Sequence, residues 1–186
     1  YGVLGLPADT AAGLTRRLLL GADRVACAMA HRALCVSHSV REGLLRDRLC
    51  PPGKAVVLGE GSVAGIDARG VYAPERAGEA AAALRARLGI PAHAPVVGFV
   101  GRLEREKGVR ELWDAFGRLR AEHPDLHLLV VGNGEAKDPV SGDLLDALAA
   151  DPRARWLREY VPEAELAAAY ALMDVVALPS YREGYP

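Results

Sequence analysis

Residues 96–108 have the sequence Val-Val-Gly-Phe-Val-Gly-Arg-Leu-Glu-Arg-Glu-Lys-Gly, in which an apolar run ends at a glycine and a basic loop follows. The apolar run predicts a buried strand, and the loop brings Arg102 and Lys107 to the end of that strand. A planar guanidinium beside a mobile ammonium suits a diphosphate, which has several oxygens to satisfy. Because Glu104 and Glu106 offset the charge, an ordinary solvated loop is the alternative interpretation of this window.

From residue 96 onward, segments with a strand pattern alternate with segments that have a helical pattern. The predicted strands cover residues 96–101, 126–131, 154–159 and 175–178. The predicted helices cover residues 108–122, 141–150 and 163–173. In the first of these helices, residues at three- and four-residue spacing are predicted to be buried: Val109, Leu112, Trp113, Phe116 and Leu119. This alternation is typical of a parallel, doubly wound sheet.

Ligands of such sheets bind beyond the carboxyl ends of the strands, so the loops that follow the strands define one candidate site. These loops cover residues 101–108, 132–138, 160–163 and 179–184. They contribute Arg102 and Lys107, exposed backbone amides of Gly132 to Gly134, the turn at Val161, and a polar segment that begins at Ser180. Glu183 is the carboxylate of the last loop, and an ion pair with Arg182 is the structural alternative for it.

The first part of the chain predicts a second set of strands and helices. Residues 1–12 are expected to form a loop, followed by an amphipathic helix from Gly13 to about Ala33 with a break near Gly21. A short strand at 33–36 then leads to a helix that Ser37 or Ser39 can cap. His38 lies at that tip and is interpreted as a surface residue of the capping turn rather than a ligand contact. A strand at 54–58 and a helix at 75–88 follow, and a domain boundary is expected within 59–94.

Composition limits the classes of protein that fit. The chain has 186 residues, 51% of them hydrophobic, which is enough for a sizeable core in one or two domains. It contains neither an uncharged apolar run long enough to cross a membrane nor a signal-peptide pattern, so a cytoplasmic protein is predicted. Cys27, Cys35 and Cys50 lack metal-ligand spacing and are predicted to be buried small hydrophobes.

Charge is distributed unevenly along the chain. Residues 1–55 hold eight Lys and Arg against four Asp and Glu, although the whole chain has a net charge of −1. This excess favours an anionic acceptor or a peripheral association with an anionic membrane, while an ordinary solvated face is the alternative. We predict no metal, no bound cofactor and no nucleic-acid partner.

Four motifs in fixed order carry a resemblance to a known family: GFVGRLEREKG (98–108), VVGNGE (130–135), YVPEAEL (160–166) and LPSYREGYP (178–186). Together they resemble the retaining, nucleotide-sugar-dependent glycosyltransferases of the GT-B fold, in particular the large bacterial group numbered as family four. The segment VLGEGS at 57–62, with Gly65-Ile66-Asp67, is similar to the interdomain segment of members that build exopolysaccharide, capsule or lipid-linked glycans. The resemblance implies two Rossmann-like parallel-sheet domains, both incomplete in this chain.

The resemblance also implies roles for individual residues. Arg102 and Lys107 would bind the donor diphosphate and stabilise the departing nucleotide, and Glu183 would be the first glutamate of the family's pair. The donor-binding set implied by the resemblance comprises Gly101, Arg102, Lys107, Gly132, Asn133, Gly134, Val161, Ser180 and Glu183. The donor would be a UDP- or GDP-sugar, and the acceptor a glycan or a lipid-linked glycan at the inner face of the plasma membrane.

Two positions depart from the family pattern, since Glu60 stands where asparagine is usual and Leu4 where histidine or arginine is often found. The second glutamate of the family's pair would fall beyond Pro186, so the chain is interpreted as an internal fragment. The implied domains are the end of an acceptor-side domain at 1–74, an interdomain helix and linker at 75–94, and the first part of a donor domain at 95–186.

Two other functions remain open from the sequence. A nucleotide-dependent oxidoreductase also contains βαβ units, but its fingerprint needs a third glycine where this chain has Lys137. A truncated, catalytically inactive nucleotide-sugar-binding module fits the same motifs as an enzyme.

The expected activity is transfer of a sugar from a nucleoside-diphosphate sugar, with retention of the anomeric configuration.

Overall fold

The chain forms two compact units, each built around its own parallel sheet. The computed structural model describes residues 1–9, 11–62, 65–134, 138–158 and 161–183. The first unit comprises residues 1–65 together with Glu183, and the second comprises residues 66–182. The prediction of two Rossmann-like α/β units is confirmed.

The first unit alternates strands with helices. Its elements are β1 (Gly2–Val3), α1 (Gly13–Met29), β2 (Ala33–Cys35), α2 (His38–Arg46) and β3 (Ala55–Val57), with a 3-10 turn at Pro7–Asp9. The strands pair in the order β1-β2-β3, and both pairs are parallel. Each helix therefore crosses between neighbouring parallel strands, as in βαβ units.

The prediction of a loop throughout residues 1–12 was wrong, because this segment contains β1. The amide of Leu34 donates to the carbonyl of Tyr1 over 2.8 Å, and the amide of Val36 donates to the carbonyl of Val3 over 3.2 Å. A strand of two residues is too short to show the alternation by which strands are predicted. Strand β1 is recognised only by its pairing with β2, about thirty residues later in the chain.

Helix α1 runs without a break through Gly21 and ends at Met29, earlier than predicted. A single glycine inside a helix costs about 1 kcal/mol relative to alanine, which the packing of the helix can offset. The predicted serine cap is confirmed for α2, since the Ser37 hydroxyl accepts a hydrogen bond from the amide of Val40 over 3.3 Å. His38 is exposed at the start of that helix.

The three cysteines lie in the core of the first unit, as predicted. Cys27, Cys35 and Cys50 are at most 5% exposed and belong to one cluster with Val3 and Leu44. Burial, with a smaller effect of the neighbouring Cys50 thiol, raises the pKa of Cys27 to about 11. At neutral pH this thiol is therefore protonated and packs as a small apolar side chain.

The second unit contains a four-stranded sheet. Its elements are α3 (Pro74–Arg87), β4 (Val96–Val100), α4 (Val109–Glu122), β5 (His127–Val131), α5 (Gly142–Ala150), β6 (Ala154–Leu157), α6 (Glu163–Leu172) and β7 (Val175–Val176). The strand order is β6-β5-β4-β7, and all pairs are parallel. Each predicted element is present, with ends that differ by at most two residues.

Helices cover both faces of this sheet. On one face, Phe99, Leu128 and Val130 form a buried cluster with residues of α4 and α5. On the other face, Val96, Leu129 and Val131 pack against residues of α3 and α6. Because successive residues of a strand point to opposite faces, these central strands are apolar on both sides and require two helical layers.

The predicted buried stripe of α4 is correct for most of its length. Val109, Leu112 and Phe116 are buried, and Trp113 packs partly against the same cluster. Leu119 is 43% exposed, so the prediction that it is buried was wrong. Leu119 lies near the end of α4 and is not part of the buried cluster to which Val109, Leu112 and Phe116 belong.

Candidate functional site

The strand order places a topological switch point at β4. The chain passes from β4 outward through β5 and β6, and then returns to the other side of β4 as β7. In open α/β sheets, ligands bind in the crevice beyond the carboxyl ends of the strands at such a point. Here the crevice is bordered by the loop at 101–108, which contains Arg102 and Lys107, and by the segment that follows β7.

The loop at 101–108 packs directly against the loop that follows β5. The amide of Leu103 donates to the carbonyl of Asn133 over 2.8 Å, and the amide of Arg105 donates to the carbonyl of Asp138 over 3.1 Å. The carboxylate of Asp138 accepts a further hydrogen bond from the amide of Glu106, 2.9 Å away. The backbone of the basic loop is therefore a packed structural segment.

The same loop is also fastened to the segment that follows β7. The amide of Tyr181 donates to the carbonyl of Glu106 over 2.9 Å, and the Arg182 guanidinium donates to the Glu106 carboxylate over 2.8 Å. The Tyr181 hydroxyl donates to Glu111, which lowers the pKa of the Glu111 carboxyl and raises the pKa of Tyr181. These hydrogen bonds join the loop at 101–108 to the segment that follows β7, which are two of the loops predicted to lie together.

Two glycines permit the backbones to approach closely in this region. Gly108 has a φ of 67°, and a Cβ there would collide with the carbonyl oxygen of Pro179. Gly132 has a φ of 139°, and a Cβ there would collide with the carbonyl oxygen of Gly101. Both positions need glycine, because a side chain would be strained and would also push the loops apart.

The contact between Gly132 and Gly101 leads to a stability prediction. Gly132→Ala is expected to lower the free energy of unfolding by about 1–3 kcal/mol through backbone strain alone, and the collision adds to this loss. Gly134→Ala is the matched control, since among the described residues no atom outside its chain neighbours lies within 4 Å of its Cβ position. Thermal denaturation of the two variants of the full-length protein compares them. Equal unfolding temperatures would contradict the prediction.

Positive charge and helix geometry coincide at this edge. The Arg102 side chain is 59% exposed and its Nη1 lies 2.9 Å from the Glu104 carboxylate. Lys107 is half-buried at the end of the 3-10 turn Arg105–Lys107. Helix α4 begins directly afterwards without a side-chain cap, so its first amides and its dipole favour an anion. These features together can bind phosphate oxygens.

The prediction that the amide of Gly132 is exposed was wrong. Its amide donates to the carbonyl of Leu157 over 3.0 Å, and its carbonyl accepts a hydrogen bond from the Trp156 indole over 2.8 Å. The amide of this residue therefore extends the sheet ladder toward β6, and a side chain of β6 satisfies its carbonyl. Asn133 and Gly134, which are exposed, remain as candidate amide donors of the loop.

The other predicted site residues occupy different surroundings. Ser180 is half-buried between Pro179, which contacts Gly108, and Tyr181, which bonds to Glu106. Val161 lies between β6 and α6, and β6 is the edge strand on the side of the sheet opposite to β7. Val161 packs partly against the buried cluster that contains residues of α3 and α6. Glu183 is exposed and directly follows Arg182 in the chain.

Three residues with clear structural roles were not predicted from the sequence. Asp138 joins the two loops through its carbonyl and carboxylate, and Trp156 holds the Gly132 carbonyl. Glu104 is 5% exposed, although its position in a charged loop favours solvent exposure. Within the part of the chain that the structure describes, no group of three or more His, Cys, Asp or Glu side chains is placed to hold a metal ion.

The strand orders and the two parallel sheets define the chain as a two-unit Rossmann-like α/β protein. A model of the family "Glycosyl transferases group 1" matches residues 81–186, which is more than half of the chain. The chain therefore belongs to the group 1 glycosyl transferases, in agreement with the resemblance carried by its motifs.

Curated relatives support the same family. The chain is 41% identical over 107 residues to a D-inositol 3-phosphate glycosyltransferase of Corynebacterium kroppenstedtii, a match that covers 54% of this chain and 24% of that protein. It is 24% identical over 190 residues to the capsular polysaccharide biosynthesis glycosyltransferase CapM of Staphylococcus aureus, covering 100% of this chain and 47% of CapM. The chain thus spans about a quarter to a half of the length of these relatives.

Solved structures show the fold. HepE of Anabaena, in complex with UDP and glucose, has a TM-score of 0.71 at 20% identity, covering 97% of this chain and 45% of HepE. A trehalose-6-phosphate protein of E. coli bound with UDP-2-fluoro glucose has a TM-score of 0.65 at 16% identity, covering 97% of this chain and 46% of that protein. The GT-B fold predicted from the motifs is confirmed.

Proposed function

We propose that the full-length protein transfers a sugar from a nucleoside-diphosphate sugar to a glycan or lipid-linked acceptor, with retention of the anomeric configuration. The observation that supports this most directly is the position of Arg102 and Lys107 in the loop at the switch point of the second sheet. Two cations and the uncapped start of α4 suit the diphosphate of such a donor. Retention rests on the motif resemblance.

The donor is proposed to be a UDP- or GDP-sugar. HepE is described in complex with UDP and glucose, which supports the uridine nucleotide as the first candidate. Gly101, Asn133, Gly134, Val161 and Ser180 are proposed to form the remaining walls around the donor. Glu183 is proposed to act on the sugar, as the first glutamate of the family's pair.

Nucleotide release from a panel of UDP-, GDP- and ADP-sugars by the full-length protein tests the proposed transfer. We expect release with at least one donor, and proton NMR of the first product should show the anomeric configuration of the donor. An inverted product would contradict retention. Nucleotide binding without any release would instead favour the inactive binding module considered above, and an absence of both would overturn the proposal.

A peripheral association with the inner face of the plasma membrane is also proposed. Helix α1 carries four exposed apolar side chains at helical spacing, namely Leu14, Leu18, Val25 and Met29. Arg17, which is also exposed, lies next to Leu18 in the chain. Such a stripe beside a cation suits an anionic interface. None of the described helices is both long and apolar enough to cross a membrane. Equal binding of the full-length protein to neutral and anionic vesicles would contradict this proposal.

A further inference from the structure

A buried carboxylate lies within the exposed basic loop. The Glu104 side chain is 6% exposed, while the side chain of its partner Arg102 is 59% exposed. Burying an ionised carboxylate is costly unless an opposite charge compensates it. The ion pair between Glu104 and Arg102 therefore has a physical cause: the Arg102 guanidinium is held where it neutralises a charge that the fold has removed from water.

The backbone around Glu104 is itself held in place. Its amide donates to the carbonyl of Arg102 over 3.0 Å, and its carbonyl accepts a hydrogen bond from the amide of Lys107 over 3.1 Å. It also forms a bridge with Pro139 of the loop that follows β5. The carboxylate thus projects from a segment joined to both the basic turn and the neighbouring loop, which makes it a rigid anchor.

The pair leaves most of the Arg102 guanidinium available. This group has five N–H donors, and one of its terminal nitrogens is taken by Glu104. Among the described residues, Glu104 is the side chain paired with Arg102. A single anchored nitrogen restricts the rotamers of a long, exposed side chain, and the remaining donors can still bind phosphate oxygens in a bidentate manner.

We propose that Glu104 is a positioning residue that holds the Arg102 guanidinium ready for the diphosphate of the donor. This inference rests on the proposed role of Arg102 in donor binding. An arginine that is already ordered loses less side-chain entropy on binding, which corresponds to an affinity gain of about three- to tenfold. A carboxylate that merely neutralised Arg102 would have the opposite effect, because its removal would tighten diphosphate binding.

A double-mutant cycle tests this role in the full-length protein, with calorimetric titration of UDP, GDP and ADP. We expect Glu104→Leu, which replaces the buried carboxylate by an apolar side chain of similar size, to raise the Kd of the tightest nucleotide about three- to tenfold. Glu104→Gln retains an acceptor for Arg102 and is expected to change the Kd less than twofold. In an Arg102→Ala background, Glu104→Leu is expected to have no effect.

The outcomes separate this inference from the proposed function. If Arg102→Ala alone leaves the Kd unchanged, the diphosphate role of Arg102 fails. If Arg102→Ala weakens binding but Glu104→Leu tightens it or leaves it unchanged, the positioning role of Glu104 is overturned while the diphosphate role stands. Weakening by Glu104→Leu that persists in the Arg102→Ala background would show a general structural effect and would also overturn it. If Glu104→Leu does not fold, Glu104→Asp takes its place, because the shorter side chain cannot hold Arg102 in the same position. The expected rise in Kd is the same.

Discussion

Arg102→Ala is expected to raise the Kd of the full-length protein for a nucleoside diphosphate by about 10- to 100-fold, the usual effect of losing charge-assisted hydrogen bonds. Arg102 is exposed at the switch point and supplies a planar set of donors to phosphate oxygens. Lys107→Ala is expected to act in the same direction with a smaller effect, because an ammonium binds phosphate as a point charge. Calorimetric titration with UDP and GDP measures both.

Arg118→Ala is the matched control, since Arg118 is an exposed cation further along α4 and its removal changes net charge equally. The control should bind UDP and GDP like the unmodified protein. Because Arg102→Ala leaves the buried Glu104 carboxylate without a compensating charge, its unfolding temperature should be lower than that of the unmodified protein, and affinities are compared at a temperature at which both are folded. Unchanged affinity in both Arg102→Ala and Lys107→Ala would remove the diphosphate role of this loop.

Glu183→Gln is expected to lower the rate of sugar transfer by about 100-fold or more, the scale of losing one charged group that stabilises a transition state. The amide has the same shape as the carboxylate, so the change removes charge with little change in packing. The affinity for the nucleoside diphosphate should stay within about twofold, since the proposed contact of Glu183 is with the sugar. Initial rates and calorimetric titration together separate the two quantities.

Asp143→Asn serves as the control for the loss of a negative charge, because Asp143 is exposed in the first turn of α5. It should have the transfer rate of the unmodified protein. A normal rate in Glu183→Gln would exclude Glu183 from the reaction and leave it with a role in ion pairing alone. Arg182, the partner considered for it from the sequence, donates to Glu106 in the structure.

The helices and strands were predictable because hydrophobic periodicity is a local property of the chain. The pattern predicts α4 over 108–122, and the structure has it at Val109–Glu122. The short strand β1 was missed for the complementary reason, since two residues have no periodicity and hydrogen bonds from β2 alone define them. Where an element depends on a distant partner, a local pattern contains no information about it.

The candidate site was predictable to the level of the loops. Arg102 and Lys107 could be assigned to the carboxyl end of a strand because they directly follow an apolar run. The surroundings of Glu104 could not be predicted, because its burial depends on Pro139 and on the packing of two loops. The hydrogen bond of the Gly132 amide could not be predicted either, because its acceptor, the carbonyl of Leu157, belongs to another strand.

Motifs and periodicity are thus sufficient for the order of the elements, the parallel sheets, the family and the sheet edge at which Arg102 lies. Motifs and periodicity are properties of residues that are close in sequence, and the spacing of apolar residues indicates which of them are buried. Tertiary structure decided the strand order β6-β5-β4-β7, the switch point at β4 and the burial of the Glu104 carboxylate beside the exposed Arg102. Each of these depends on hydrogen bonds and packing between segments distant in sequence, which only the folded chain brings together.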